Sequence, residues 1–218
     1  MEPLQQKAYD YLKEQVLKEH FTAGAIYSLA KTAEIIGMSR TPVRDALQRL
    51  SQENMIDIIP SKGFRVHEIT QQDIVESFQF RTAVEGYCAL YLARHCHTSQ
   101  AEETLLKLRF NLEKQKNILF SSENIDCFID VDIEFHTLIV EFVRNRIFTS
   151  TFQTSVNLIR RLARISLSQT GRMRETYQEH RDIYDALFHG NTSQIYDITF
   201  QHMVHPQHIN LNSLNLQT

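Results

Sequence analysis

Ser39-Arg40-Thr41-Pro42-Val43-Arg44-Asp45-Ala46-Leu47-Gln48-Arg49-Leu50 reads as a helix with two distinct faces. Ser39 suits an N-cap, and Pro42 falls in the first turn, where a missing N–H costs nothing. Val43, Ala46, Leu47 and Leu50 recur at three- and four-residue steps and mark a buried side. Arg40 and Arg44, four apart, share another side, with Thr41 beside them. Upstream, Leu29 to Ile36 is a short apolar segment ended by Gly37, a natural left-handed C-cap. Only Gly37-Met38 then separates two helices, as a helix-turn-helix requires. Further upstream, Leu4, Ala8, Tyr11, Leu12 and Val16 mark an amphipathic first helix, broken at Phe21-Thr22-Ala23-Gly24-Ala25. Downstream, Met55-Ile56-Asp57-Ile58-Ile59 is β-branched, Pro60-Ser61-Lys62-Gly63 is turn chemistry and Phe64-Arg65-Val66 resumes alternation. That is a small hairpin.

The order helix, helix, turn, helix, hairpin places Arg40, Thr41 and Arg44 at the start of the third helix, the part that reaches base edges in a major groove. Arginine there pairs with guanine or holds a phosphate. Lys62 and Arg65 bracket Gly63 at the hairpin tip, where a wing could touch the backbone or minor groove. The whole chain carries a formal charge of −3, so any nucleic-acid binding needs a local patch. Residues 39–65 supply one, with five basic against three acidic side chains; residues 71–218 hold 14 basic and 17 acidic.

The rest of the chain is helical. Breaks near His97-Thr98-Ser99, Ser121-Ser122, Arg144-Asn145-Arg146, Thr170-Gly171 and Gly190-Asn191 predict six helices, roughly 72–95, 99–119, 124–144, 146–168, 172–189 and 191–206. His67 to Gln72 reads as a linker, with Thr70 and Asp73 spaced as a capping box. The expected organisation is a DNA-binding domain over 1–69, an all-helical domain over 70–209 and a loose tail over 210–218. With 218 residues, 42% hydrophobic and 22% charged, the chain is long enough for two small globular domains. No apolar run reaches the roughly 18 residues of a membrane span. Three scattered cysteines fit a reducing cytosol better than a disulfide scaffold, so a soluble, cytoplasmic protein is expected.

In the second domain Asp132 and His136 are four apart and project from one helical face. His180 lies ten residues before Gly190 and His202 twelve after it. At about 1.5 Å per residue, an antiparallel hairpin would set these two histidines side by side. One carboxylate and three imidazoles make a site for Zn, Ni, Co or Mn. The alternative is that a chain with ten histidines places some together by chance. Asp130 and Glu134 fall on other faces and are expected to be solvated. A metal-dependent hydrolase is a rival reading, since such a site could activate water, although no nucleophile constellation accompanies it. A sensor of the metal itself is a third.

The string from Ser39 to Leu50, with Pro60 to Val66 after it, resembles the winged helix-turn-helix of GntR-family transcription regulators. Asp132-Ile133-Glu134-Phe135-His136, Glu179-His180, the Gly190-Asn191 turn and His202 are similar in spacing to the ligand-binding domain of the FadR-type subfamily. The resemblance implies that Arg40, Thr41 and Arg44 contact operator DNA and that Gly63 shapes the wing. It implies that Asp132, His136, His180 and His202 hold a divalent metal in an antiparallel all-α bundle. A homodimer, a small organic acid effector completing the metal's coordination, and release of DNA on effector binding are also implied. His202 is favoured over its neighbour His205, while His95, His97, His189 and His208 are taken as surface. Arg81 is the expected cation for the effector's carboxylate, the alternative being an ordinary surface ion pair with Glu85. Arg160, Arg161 and Arg164 form another basic stripe, which one side chain could turn towards the cavity. Many relatives carry a DNA-contacting arginine before the turn; this chain has Ala30 with Lys31 beside it.

Overall fold

The computed structural model describes residues 3–18, 20–22, 24–121 and 124–215, and the chain divides into two compact units, 1–69 and 70–218. Among the described residues no helix is long and apolar enough to cross a membrane.

In the first unit, α1 (Leu4–Leu17), α2 (Leu29–Ile36) and α3 (Arg40–Gln52) are followed by β1 (Ile56–Ile59) and β2 (Gly63–Val66). Gly37 ends α2 with φ +68°, and the pair Gly37 N–H to Glu34 and Met38 N–H to Ala33 closes a Schellman motif. Ser39 stands at the N-cap of α3 with extended backbone, but its side chain makes no capping bond. Val43, Ala46, Leu47 and Leu50 are buried against Ala8, Tyr9, Leu12, Met55, Ile56 and Phe64. On α1 the buried aromatic is Tyr9; Tyr11, the sequence-based expectation, is exposed. Tyr9 is favoured inside because its hydroxyl reaches both Glu53 oxygens, at 2.7 and 2.9 Å, while Arg49 lies 3.7 Å over its ring.

The hairpin is antiparallel, with Asp57 opposite Arg65 and Ile59 opposite Gly63. Tyr27 joins it as a third, single-residue partner, exchanging hydrogen bonds of 2.7 and 2.9 Å with Phe64. That pairing makes Gly63 obligatory: its φ is +136°, and a Cβ would stand 1.9 Å from the Tyr27 carbonyl oxygen.

Among the described residues the second unit is built of helices, α4 (Gln71–Arg94), α5 (Ser99–Ser121), α6 (Ile125–Phe142), α7 (Arg146–Leu167), α8 (Arg172–Phe188) and α9 (Ile195–Asn215). Thr70 and Asp73 form the expected capping box, and Asn124 and Asn145 cap α6 and α7. Neighbours run antiparallel. Gln100 bonds to Phe142 and Asn111 to Val131 between α5 and α6, while Arg160 pairs with Asp130 and Arg164 with Asp126 between α6 and α7. Phe128, Ile129, Phe135 and Ile139 of α6 point into a core shared with Leu92, Leu108 and Phe152.

The expected loose tail from residue 210 is corrected. Helix α9 runs through Pro206 to Asn215, and Asn210 is fully buried, donating to the carbonyls of Pro206 (2.7 Å) and Leu162 (3.2 Å). Proline ends a helix by removing a donor; here the Asn210 amide ties the next turn to α7, so the helix continues. Residues 216–218 lie outside the described residues.

Candidate metal centre and nucleic-acid interface

Three helices of the second unit send four side chains to a single point. Helix α6 supplies Asp132 and His136, α8 supplies His180 and α9 supplies His202, all buried. The three imidazoles turn the same atom inward: His136 Nε2 lies 3.2 Å from His180 Nε2 and 3.2 Å from His202 Nε2. Asp132 Oδ1 stands at the edge, 3.6 Å from His180 Nε2 and 4.0 Å from His136 Nε2. The hairpin formed by α8 and α9 brings the last two histidines level, as their distances from Gly190 anticipate.

The outward nitrogen of every ring is spoken for. His136 Nδ1 is 2.5 Å from Glu85 Oε2, His180 Nδ1 is 3.0 Å from Gln115 Oε1, and His202 Nδ1 is 2.6 Å from Glu179 Oε2. Each of these oxygens accepts, so each ring carries its proton on Nδ1 and leaves Nε2 bare. Gln115 cannot be turned round, because its amide donates to Asn111, which in turn donates to the Val131 carbonyl and to Glu134. Three buried lone pairs therefore meet with no hydrogen among them, an arrangement that a cation relieves. Nitrogens bound at ~2.0 Å to one tetrahedral ion stand roughly 3.3 Å apart, close to the 3.2 Å observed for His136 with His180 and with His202.

The electrostatics agree. Burial, reinforced by the neighbouring His202 and His136, pushes His180 well below the usual histidine range; burial also lowers His202, against the pull of Glu179. Burial would raise Glu85 and Glu179, but Arg81 with His136, and His202 with Arg172, hold both down at about 2. Burial therefore favours the neutral form of His180 and His202, while Glu85 and Glu179 stay charged. A cavity of about 20 Å³ opens beside the cluster, lined among others by Asp132, His136, His202, Arg81 and Arg172.

Arg81 and Glu85 form no surface pair: both are buried, 2.7 Å apart. His205 is exposed and turns to Glu179. His97, His189 and His208 are exposed as expected, whereas His95 is half-buried on the Tyr91 carbonyl. Asp130 and Glu134 are exposed, paired with Arg160 and Lys114. The α7 wall of the cavity is Ala163, Ser166 and Leu167, not the basic stripe. Sequence reasoning missed Gln115, Asn111, Glu179 and Arg172 in these roles. Glu179 could have been suspected from its place beside His180; nothing in the sequence links Gln115 to a histidine 65 positions away.

In the first unit Arg40, Thr41, Arg44 and Lys62 are exposed. Arg40, Arg44, Lys62 and Gly63 line one groove of about 570 Å³ between α3 and the hairpin tip. Thr41 is not on that lining, and Arg65 is drawn back to Asp57 at 3.0 Å, which His67 also contacts.

A winged helix joined to a helical bundle with a polar, histidine-lined interior defines a DNA-binding regulator carrying a ligand-binding domain. Residues 4–66 match the bacterial regulatory proteins of the gntR family and residues 76–205 match the FCD domain. The chain belongs to the GntR family of transcription regulators, in the branch with an FCD domain. The transcriptional repressor RspR of Escherichia coli K12 is 25% identical over 186 residues, covering 85% of this chain and 79% of that protein. The gluconate operon repressor of Bacillus licheniformis is 25% identical over 174 residues, covering 80% and 68%. Among solved structures, E. coli McbR/YncC superposes with a TM-score of 0.74 at 23% identity over 98% of this chain and all of that one.

Proposed function

We propose that this regulator binds operator DNA as a homodimer and that a small organic acid, held beside a divalent metal in the helical domain, sets its operator affinity. The observation that carries the reading is the convergence of three bare Nε2 atoms, each ring oriented from behind by its own acceptor. Asp132, His136, His180 and His202 would hold the ion, which would supply a fixed positive charge for the acid's oxygens. Imidazoles with one carboxylate suit Zn, Ni, Co or Mn better than Mg or Ca. A solved metal-free FCD domain, 15% identical with a TM-score of 0.56, shares this fold.

Arg40, Thr41 and Arg44 would read the major groove, with Lys62, Gly63 and Arg65 at the wing. Two such units would meet a short pseudo-palindrome with half-sites about one helical turn apart or less. The acid changes operator affinity only so far as it binds one arrangement of the dimer more tightly; release of DNA is the expected direction, and RspR and the gluconate operon protein are named as repressors. No membrane enters this reading, and it places the protein in the cytoplasm.

Metal-stripped protein is titrated with each of the four ions and then with small carboxylates while operator binding is followed. Stoichiometric uptake of one ion per chain with an acid-dependent change in operator affinity supports the proposal. Response to metal alone would favour a metal sensor, and turnover of an acid a hydrolase. Arg44→Ala should weaken operator binding with metal content unchanged, and wild-type affinity should fall steeply with salt.

A further inference from the structure

An acid sits in the wing, where a surface that meets phosphates has least use for one. Asp57 on β1 stands directly opposite Arg65 on β2. Its two oxygens have separate partners: Oδ2 accepts from Arg65 Nε at 3.0 Å, and Oδ1 lies 2.7 Å from His67 Nδ1. His67 is itself fixed by its backbone, whose N–H bonds to the Met55 carbonyl at 3.0 Å and carries the ladder one step past β2. Burial would raise the Asp57 carboxyl, but His67 and Arg65 hold it below the usual carboxylate range. Asp57 is therefore a charged acid tied down on both sides.

The contact engages only part of the guanidinium. Nε points at Asp57, while among the described residues Nη1 and Nη2 of Arg65 have no hydrogen-bond partner. The edge between these two groups is left open, and it matches the paired oxygens of a phosphate. The Arg65 side chain is 43% exposed against 29% for Asp57, so the cation is the more solvent-facing partner. Arg65 is also absent from the groove that Arg40, Arg44, Lys62 and Gly63 line. That suits a contact to backbone beside the groove rather than to base edges within it. An arginine already held in one geometry loses less freedom on binding than a loose one.

We propose that Asp57 is a positioning residue for DNA binding. It clamps Arg65 by Nε so that the free Nη edge grips one phosphate of the duplex backbone, and His67 steadies the other oxygen of the clamp. The inference rests on the wing reading above and adds to it a residue of the opposite charge. Charge counting alone demands the reverse, since taking a negative group off a DNA-facing surface strengthens binding. A loss on removing Asp57 therefore has to pass through Arg65.

The test uses full-length protein and the duplex that wild type selects from a random-sequence pool, with affinity followed by fluorescence anisotropy over a salt series. Arg65→Ala should weaken binding and flatten the log–log salt slope by about one. Asp57→Ala should weaken binding about three- to tenfold, despite the lost negative charge. In the Arg65→Ala background the same change should weaken nothing, a result that general damage to the hairpin would not give. Asp57→Asn, of the same shape, is read in the same way if Asp57→Ala does not fold. Binding at or above wild-type strength without the Asp57 carboxylate, or an equal loss in both backgrounds, would overturn the proposal. A pool from which wild type selects nothing, or Arg65→Ala binding like wild type, would instead sink the wing reading itself.

Discussion

His202 Nδ1 lies 2.6 Å from Glu179 Oε2, and the same carboxylate receives two hydrogen bonds from Arg172. One acid thus orients an imidazole of the cluster and an arginine of the cavity wall. Because it fixes the proton on Nδ1, it also decides that Nε2 is free to bind.

Replacing Glu179 by Gln removes the charge that holds both partners. Metal affinity should fall by about ten- to a hundredfold, read by competition against a chelator of known affinity, with far-UV circular dichroism unchanged. An unaltered affinity would mean that the ring's orientation is set elsewhere.

Gln115→Leu leaves the His180 Nδ1–H buried with no acceptor and strands the Asn111 carbonyl oxygen as well. We expect a loss of about 1–3 kcal/mol in the unfolding free energy of metal-free protein, measured by urea denaturation. Asn111→Ala acts on the same chain of amides one step further out and should weaken metal binding less.

Acid should destabilise the metal-free protein from near neutrality. His180 and His202 are held below 6.5 in the fold, so the unfolded chain takes up their protons first. The stability they contribute is complete above pH 6.5 and is lost as pH falls towards their lowered values, at up to about 1.4 kcal/mol per pH unit for each group. Glu85 and Glu179, held at about 2 against 4.5, add a second loss between those two values. Urea midpoints of metal-free protein should drop between pH 7.5 and 5.5, and a flat profile would contradict the burial of neutral rings. Metal uptake should weaken over the same window, because protons compete for Nε2.

Gly63→Ala drives a methyl group to 1.9 Å from the Tyr27 carbonyl oxygen at a φ that alanine rarely adopts. The bridge between Tyr27 and Phe64 should break and operator binding should be lost, while the second unit keeps its metal stoichiometry. A gel shift and elemental analysis on one preparation check both halves; retained operator affinity would show that the wing tolerates the change.

The elements were legible because they are local. Apolar steps of three and four placed α3, Gly37 closed α2, Thr70 and Asp73 opened α4, and the β-branched run before Pro60 gave the hairpin. Even the meeting of His180 with His202 followed from counting residues on either side of Gly190. Local rules failed where a distant partner outweighs them. Pro206 reads as a stop, yet Asn210 reaches α7 and carries the helix on to Asn215. Tyr11 and Tyr9 are equal candidates by hydropathy, and Glu53, 44 residues away from Tyr9, settles which goes inside.

The same division runs through the candidate site. Residue types and helical repeat were enough to nominate Asp132, His136, His180 and His202, since side chains four apart share a face and a tight hairpin aligns its arms. Packing alone brought Glu85, Gln115 and Glu179 behind the rings and turned the Arg81–Glu85 pair from an ordinary surface contact into a buried one. Periodicity says which side of a helix is apolar. Which helix it meets, and so whether a charge ends in water or in the interior, depends on contacts between residues far apart in the chain.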